Sequence, residues 1–503
     1  MSEWDTLVVG GGTAGCVLAA RLSEDPRERV LLLEAGPDFG AVAAGGWPEA
    51  LLSPVYGGAD TGYDWGLTAD IGGQTRAYLQ GQVIGGSSSI NATGINWGLV
   101  EDYDRWAALG LPGWDFDGMC PWLQRVEGLQ GDAPGDPERG RAGCLPVQRL
   151  PEASSGWQPA LIAAMTASGL PAADIGGPRA AEGYGMPTVN VLDGRRVTAA
   201  EAYLDPARGR SHLEIRGDAR VLRLLWRTGT VHGVVLQRPD GTEETISAAR
   251  VVLCAGAFGT PLLLQRSGIG AAQHLAPLLG AGTRLHDLPG VGCNLRDHYG
   301  ARIFHQGGRL AAAMAPTFQA LTARVKSSRQ LSAYDLNLFC VLSWQDGVPM
   351  IRSSLFDIQP NAHGSVRLAS ADPAAAPIID TGFGSDTQLA PLASGVAWLR
   401  RLASRPELGE WFGQEAAPGL AISDAALYPW LRANLCFFHH AVGTCRMGAA
   451  DDPMAVTDGQ GRVRGFDNLV IGDASLMPDI PRGMINLSVY AVAEKIAAAQ
   501  RRV

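Results

Sequence analysis

The feature that most constrains the fold is a glycine-rich turn between two short apolar runs near the start of the chain. Leu7 to Val9 forms the first run, a G-x-G-x-x-G pattern covers residues 10 to 15, and a helical pattern continues to Leu22. The second run, Val30 to Leu33, ends in Glu34. This order of strand, tight turn, helix, strand and acid predicts the βαβ unit that binds dinucleotides.

Each position of the motif requires glycine for a different physical reason. Gly10 allows the sharp turn, Gly12 leaves the backbone open to a pyrophosphate, and Gly15 lets the helix pack against the strand. The first helical residues, Thr13 and Ala14, would offer free N–H groups to the phosphates. The acid at the end of the second run would accept hydrogen bonds from ribose hydroxyls. The motif alone does not separate NAD from FAD, and an ordinary glycine-rich turn is the alternative.

The composition narrows the class of protein and its partners. With 503 residues, of which 46% are apolar and 18% charged, the chain reads as a soluble globular protein with two or three cores. A net charge of -9 argues against nucleic acid as a partner. We see no signal peptide and no apolar stretch long enough to span a membrane, so we expect a cytoplasmic protein without membrane insertion. The eight cysteines form no C-x-x-C pair, which predicts reduced thiols and no metal site.

A second glycine cluster lies within residues 81–98. Gly85, Gly86 and Ser87 put small residues and a hydroxyl into one turn, where backbone N–H groups could surround a phosphate or the edge of a ring. A flexible linker is the alternative, but apolar residues such as Ile84 and Ile90 flank the cluster, which is unusual for a linker.

Alternating strands return after a long excursion, which predicts a discontinuous first domain. The segment 37–78 shows no clear periodicity, which predicts one long connection, and 102–127 reads as helical with Leu109 in its core. We expect the following strands: 212–215, 221–226, 231–236, 243–246, 251–253, 335–343, 354–359, 365–368 and 469–471. We expect helices over 157–168, 260–265, 392–404, 424–434 and from Asn486 onward.

The last seventy residues hold the candidate chemistry. His439 and His440 are the only adjacent histidines, and a histidine titrates near neutral pH and serves as an acid or base. A buried strand ends in Asp473 and Ala474, and Asn486 opens the last helix. A satisfied core histidine is the structural alternative for His440.

Several motifs in order resemble the glucose-methanol-choline (GMC) family of flavoprotein oxidoreductases, from the first strand to the last helix. They are VVGGGTAGCVLAARL with Glu34, GQVIGGSSSINATGINWG, GAFGTPLLLQRSGIG, DLPGVGCNL followed by Asp297-His298, HAVGT from His440, and the segment 473–495. The resemblance implies FAD and an α/β fold, α+β overall. A Rossmann-like FAD-binding domain would comprise residues 1–150, 191–300 and 435–503. A substrate-binding domain with an antiparallel sheet and covering helices would comprise 151–190 and 301–434.

The resemblance also assigns roles to individual residues. The cofactor contacts it implies are Gly10, Gly12, Thr13, Ala14, Gly15, Glu34, Gly85, Gly86, Ser87, Asn91, Val221 (through its backbone), Asp473, Ala474 and Leu487. His440 matches the catalytic histidine and Asn486 the second catalytic position. Ile90 stands where some relatives attach the flavin to a histidine, so FAD is expected to be non-covalent.

The expected reaction is the oxidation of an alcohol, and a primary alcohol would give an aldehyde. His440 would take the hydroxyl proton while the carbon passes a hydride to flavin N5, and Asn486 would hold the oxygen. Oxygen or another acceptor would reoxidise the cofactor. The alternatives are oxidation of a sugar or amino-sugar alcohol, a non-redox hydroxynitrile lyase on the same scaffold, and a nicotinamide enzyme built on the first motif.

The pocket is the least defined part of the prediction. Phe438, His439, Arg482 and Met484 are candidate pocket residues; Arg482 is either a surface charge or a contact for a polar or anionic substrate. Phe339, Trp344 and Phe356 are candidates for an aromatic wall, with core packing as the alternative. The sequence does not identify the alcohol, the electron acceptor or the oligomeric state.

Overall fold

A computed structural model describes residues 3–54, 61–131, 137–152, 156–314, 317–329 and 331–501. Its α-helices are α1 (Thr13–Leu22), α2 (Glu49–Leu52), α3 (Val100–Ala108), α4 (Phe116–Val126), α5 (Gln158–Ala167), α6 (Gly256–Arg266), α7 (Ala272–Leu279), α8 (Asp386–Ala403), α9 (Asp424–Ala433) and α10 (Asn486–Gln500).

The strands occur along the whole chain. They are β1 (Trp4–Val9), β2 (Val30–Leu33), β3 (Leu67–Ile71), β4 (Gln74–Tyr78), β5 (Gly94–Ile95), β6 (Glu127–Leu129), β7 (Leu145–Arg149), β8 (Gly183–Gly185), β9 (Thr188–Val189), β10 (Val191–Leu192), β11 (Arg195–Arg196), β12 (Leu213–Arg216), β13 (Arg220–Arg227), β14 (Thr230–Gln237), β15 (Glu243–Leu253), β16 (Ile269–Gly270), β17 (His286–Asp287), β18 (Cys293–Leu295), β19 (Tyr299–Gly307), β20 (Thr317–Val325), β21 (Leu336–Gln345), β22 (Val348–Asp357), β23 (Gly364–Arg367), β24 (Ile378–Asp380), β25 (Phe412–Ala417), β26 (Leu435–Phe437) and β27 (Leu469–Ile471).

The first large sheet carries the glycine-rich turn. Its strand order is β12-β2-β1-β15-β14-β13, and β27 also pairs with β15. Strands β12, β2, β1, β15 and β27 pair in parallel, whereas β13, β14 and the first half of β15 form an antiparallel meander. The strands β1 and β2 are apolar and buried because helices cover a parallel sheet on its faces. The sheet therefore has the Rossmann-like arrangement that the sequence predicts.

The second large sheet is antiparallel and forms the other half of the molecule. Its strand order is β25-β19-β22-β21-β20-β8, and β26 also pairs with β19. One face carries apolar residues such as Leu336, Leu338 and Leu355, which lie in a buried core with residues of α8. Because side chains alternate along a strand, the opposite face presents Asn337, Phe339 and their neighbours.

Smaller sheets complete the described parts of the chain. A five-stranded sheet has the order β18-β23-β24-β3-β4, and a four-stranded sheet has the order β5-β9-β7-β6. Two further pairs join β10 to β11 and β16 to β17. The five-stranded sheet brings residues 67–78 beside residues 293–295 and 364–380, so widely separated parts of the chain meet there.

Three local predictions are wrong. The expected strands 243–246 and 251–253 are one strand, β15, because Ser247 still pairs with β14 while Ala248 and Arg250 already pair with β1. The expected helical segment 102–127 is interrupted between α3 and α4, and Leu109, predicted to lie in the core, is 49% exposed. The segment 37–78 is not featureless but contains α2, β3 and β4, although its residues 55–60 lie outside the described ranges.

Candidate active site

The glycine turn and the second glycine cluster meet face to face. A Cβ atom on Gly86 would lie 2.7 Å from the Cα atom of Gly12, and one on Gly15 would lie 1.8 Å from the carbonyl oxygen of Gly10. The Gly85 N–H donates to the carbonyl of Gly11 at 2.7 Å. These contacts are closer than any side chain allows, so the glycines are required by the packing of the two backbones.

The arrangement leaves a cradle at the start of α1. The N-cap residue Gly12 has no side chain to cap the helix, so the N–H groups of Thr13 and Ala14 point outward at the positive end of the helix dipole. Ser87 is exposed beside them in the second cluster. Such a site accepts phosphate groups.

Glu34 lies where the ribose is expected. Its carboxylate accepts hydrogen bonds from the N–H groups of Gly11 (2.7 Å) and Gly36 (2.9 Å). Burial raises its pKa to about 7, although those two bonds oppose the shift. The Glu34 carbonyl accepts from the Ala219 N–H at 2.8 Å, which places Val221, two residues further on, near the same end of the site.

Asp473 connects the last strand to α6. Its carboxylate accepts from the N–H groups of Gly256 and Ser475, both at 2.8 Å, and from the Thr260 hydroxyl at 2.5 Å. Burial raises its pKa. The neighbouring carbonyl of Ala474 accepts from the Gly443 N–H at 3.1 Å, so the histidine loop and this turn are held together.

Asn91 ends the second glycine cluster and is held by a buried arginine. Its N–H donates to the Ser87 carbonyl at 3.0 Å, and its side-chain oxygen accepts from Arg196 at 2.8 Å. Arg196 also donates to the Asn91 carbonyl oxygen. The cluster is therefore a fixed turn rather than a linker.

A buried donor group without an acceptor points to a bound group at this site. The Asn486 side-chain nitrogen, at the start of α10, is buried and has no hydrogen-bond partner among the described residues. Leu487, next to it, is fully buried. Together with the glycine cradle and the exposed Ser87, the donor set fits the pyrophosphate and the ring of FAD.

His440 is placed by pairing between two distant segments. The strand β26 pairs with β19, and the Phe438 N–H donates to the His298 carbonyl at 3.0 Å. Further along the two segments, Arg296 and Val442 form an isolated antiparallel β-bridge. His439, at a left-handed φ of +64°, turns the chain in between. The pairing brings His440 opposite His298.

Two imidazole rings meet edge to face at the centre of the site, with their centroids 5.1 Å apart. The Nδ1 atoms of His298 and His440 lie 2.9 Å apart. Burial, reinforced by His439, lowers the pKa of His440 to about 3. Burial, with the neighbouring rings and guanidinium groups, holds the pKa of His298 well below its usual range. Both rings are therefore neutral, and one Nδ1 donates its hydrogen to the other.

Asp297 fixes the backbone of the histidine loop. Its carboxylate accepts from the N–H groups of His440 and His298, both at 2.7 Å, and from the Tyr78 hydroxyl at 2.6 Å. Burial raises its pKa to about 7. Neither Asp297 nor His298 was assigned a role from sequence, although the pair stands out directly after the motif DLPGVGCNL.

The aromatic candidates divide into two groups. Phe438 stacks on Phe356 with ring centroids 4.0 Å apart, lies 4.4 Å from the His440 ring, and also stacks with Phe339. Trp344 is 38% exposed and donates to the Met314 carbonyl, so it does not belong to this stack. Phe339 and Phe356 therefore form an aromatic cluster with Phe438 beside the two histidines.

The remaining pocket candidates have defined partners. Arg482 is 1% exposed, so its interpretation as a surface charge is wrong; it pairs with Asp102 (2.9 Å) and Glu101 (2.7 Å). The Met484 N–H donates to the Asn96 side-chain oxygen at 2.9 Å. His439 Nδ1 accepts from the Leu79 N–H at 3.3 Å, and burial lowers the pKa of His439 to about 4.

The fold and the glycine cradle together define a protein of the dinucleotide-binding class, and the neutral His440 lies on a loop that is hydrogen-bonded to the turn after the last strand. Two family models described as GMC oxidoreductase match residues 4–300 and 360–493. The chain therefore belongs to the GMC oxidoreductase family. It is a flavoprotein that binds FAD and oxidises the CH–OH group of an alcohol.

Individual relatives match over nearly the whole chain. A 5-(hydroxymethyl)furfural oxidase of Methylovorus sp. (strain MP688) is 36% identical, with 99% of this chain and 98% of that protein covered. The mitochondrial choline dehydrogenase of Homo sapiens is 33% identical, with 98% and 89% covered. The crystal structure of pyridoxine 4-oxidase from Mesorbium loti is similar with a TM-score of 0.87, 30% identity and 99% of both chains covered. None of these three is named as a lyase or as a nicotinamide enzyme.

Two further features bear on partners. No helix of the described residues is both long and apolar enough to cross a membrane. The described residues contain no group of three or more His, Cys, Asp or Glu placed to hold a metal ion.

Proposed function

We propose that the protein oxidises a ring-bearing primary alcohol to an aldehyde, with His440 as the base. The observation that carries this proposal is the neutral, half-buried His440 ring, with one nitrogen 2.9 Å from His298 and the aromatic cluster beside it. 5-(Hydroxymethyl)furfural, the compound in one relative's name, is itself a primary alcohol on a ring. The aromatic cluster of Phe438 and Phe356 beside His440 supports a ring-bearing substrate.

The chain's own groups carry out the proton chemistry. Because His440 Nδ1 faces His298, its Nε2 atom is the nitrogen left to accept the proton of the alcohol hydroxyl. The unpartnered Asn486 nitrogen would donate a hydrogen bond to the same oxygen as negative charge develops, which is typically worth about 3 kcal/mol. When bound, FAD supplies the hydride acceptor.

FAD is proposed to be held without a covalent bond. Ile90, at the position where some relatives have a histidine, is buried and has no nucleophilic atom. The residues from Gly10 to Glu34 would hold the ADP half, the turn from Gly85 to Asn91 the pyrophosphate and ring, and Asp473 and Ala474 the ribityl chain. We propose the domain division 1–150, 191–300 and 435–503 against 151–190 and 301–434, and a cytoplasmic location; the eight free thiols support the latter.

Replacement of the base tests this function. The purified protein should be yellow, release free FAD on denaturation and bleach anaerobically with a primary alcohol such as benzyl alcohol. His440→Ala should keep its FAD, but its rate of flavin reduction should fall by about 100-fold or more, because general-base catalysis contributes that much to the rate. Near-normal reduction would rule out His440 as the base, and a protein unable to take up FAD would overturn the whole proposal. Mixing the reduced protein with oxygen then tests oxygen as the acceptor.

A further inference from the structure

A buried arginine lies on the sheet that faces the active site. Arg324, on β20, is 2% exposed, and within the described residues it forms an ion pair with no carboxylate. Its Nε–H has no acceptor, its Nη1 donates to the Tyr334 hydroxyl, and its guanidinium lies 5.0 Å over the Tyr334 ring. Since burying an unpaired charge is costly, an anion is the expected partner of this group.

A second donor without an acceptor stands beside Arg324. Asn337, on β21, is the residue directly opposite Arg324 in the antiparallel register, so both side chains lie on the same face. Asn337 is 2% exposed, and its side-chain nitrogen has no hydrogen-bond partner in the part of the chain that the structure describes. A guanidinium next to an amide N–H provides donors for the two oxygens of one carboxylate.

The two donors share their sheet face with the aromatic cluster. Phe356, on β22, lies directly opposite Asn337 and stacks on Phe438, which touches the His440 ring. Tyr334 packs in the same buried cluster as Phe356. Strands are about 5 Å apart, so the backbones of Arg324 and Phe356 are about 10 Å apart, roughly the length of a substituted ring.

The charge of Arg324 also acts at the histidine pair. Burial is the main cause of the low pKa of His298, and Arg324 is among the positive groups that lower it further, after His440 and Arg296. A negative charge bound at Arg324 would therefore lie within electrostatic reach of the reacting end of the pocket.

We propose that Arg324 and Asn337 form an anion-binding subsite for a carboxylate carried by the substrate, opposite the CH–OH group that His440 serves. The preferred substrates are then ring-bearing alcohols with a carboxylate on the far side of the ring. This inference rests on the proposed function, because the subsite is defined relative to the alcohol end of the pocket.

Two alcohols that differ only in the carboxylate test the subsite on the FAD-loaded enzyme. The value of kcat/KM is measured for 4-(hydroxymethyl)benzoate and for benzyl alcohol, with 4-(hydroxymethyl)benzamide as the uncharged analogue. The wild type should prefer the carboxylate. Arg324→Met should lower the ratio of the two kcat/KM values about 100-fold, as expected when one member of a buried charge pair is removed. Arg324→Lys, which keeps the charge, should retain part of the preference.

A binding measurement without turnover supplies an independent readout. 4-Methylbenzoate, which has no CH–OH group, should raise the Tm of the wild-type holoenzyme and should fail to raise that of Arg324→Met. The matched control is Arg309→Met, since Arg309 lies in the same half of the molecule with a 73% exposed side chain paired to Glu410. Its substrate ratio and its response to 4-methylbenzoate should equal those of the wild type.

These experiments distinguish failure of the carboxylate subsite from failure of the proposed alcohol oxidation. A wild type that oxidises benzyl alcohol but shows no preference for the carboxylate, and whose Tm does not respond to 4-methylbenzoate, overturns the subsite alone; ordered water then satisfies the donors. Equal losses on both alcohols in Arg324→Met also overturn it, because they indicate a packing role. Binding of 4-methylbenzoate without oxidation of any alcohol would support the subsite and overturn the proposed function. If Arg324→Met does not fold, the wild-type comparisons still decide.

Discussion

At the residue scale, the two facing nitrogen atoms of His298 and His440 determine which end of the catalytic ring is free. For His440 to accept a proton at Nε2, its own hydrogen must sit on Nδ1 and point at His298 Nδ1. The hydrogen of His298 then sits on Nε2, a buried atom that has no hydrogen-bond partner among the described residues. In the proposed mechanism, His298 would therefore select the tautomer of the base.

Replacement of His298 should separate tautomer selection from packing. In His298→Phe the Nδ1 hydrogen of His440 has no acceptor, so we expect kcat for an alcohol to fall by about 100-fold while FAD stays bound. His298→Asn keeps an oxygen close to the place of Nδ1 and should restore much of the loss. Stopped-flow reduction of the flavin measures both variants. Equal impairment of the two would indicate that only the packing of His298 matters.

The same residues show why sequence reasoning missed part of the site. The glycines, Glu34 and the order of β1, α1 and β2 were predicted because their signal lies within about thirty residues. His298 was not assigned because it meets His440 only through pairing of segments 142 residues apart. Arg482 was misread in part for the same reason, since its partner Asp102 lies 380 residues away.

At the element scale, the contact between the two glycine turns positions the start of α1. Gly86 has a φ of +54° and its added Cβ would meet the backbone of Gly12, the N-cap of α1. Gly73 has a similar φ of +75° but open space around it. A side chain at either glycine would strain the backbone, because both have a positive φ. Only a side chain at Gly86 would also push against the backbone at the start of α1.

Alanine at these two glycines should have different effects on FAD. Gly73→Ala should cost about 1 kcal/mol of stability from the left-handed backbone and keep a full complement of flavin. Gly86→Ala should show the same strain and also release FAD, because the N-terminus of α1 must shift away from the second turn. The flavin content per chain after gel filtration and FAD titration of the apoprotein measure the difference. Equal flavin content in both variants would contradict the role of this contact.

At the scale of the whole molecule, the proposed cofactor site combines four segments that lie far apart in the chain. Residues 10–36, 81–91, 219–260 and 473–487 would each supply part of it. Within this assembly, acids such as Glu34 are buried close to backbone donors, so their ionisation is coupled to folding of the chain.

The stability of the apoprotein should therefore depend on pH through Glu34. Its pKa is about 7 in the folded chain and 4.5 as the ordinary value, so burial favours the neutral acid. The contribution of the neutral Glu34 to the free energy of unfolding is fully present below pH 4.5. It is lost as the pH rises through 7, a change of about 3 kcal/mol. Glu34→Gln does not titrate, so relative to the wild type its Tm should rise between pH 5 and pH 8. The exposed Glu49→Gln is the control and should keep a constant offset. A constant Tm difference for Glu34→Gln across this range would show that Glu34 ionises in the folded apoprotein as readily as in the unfolded chain.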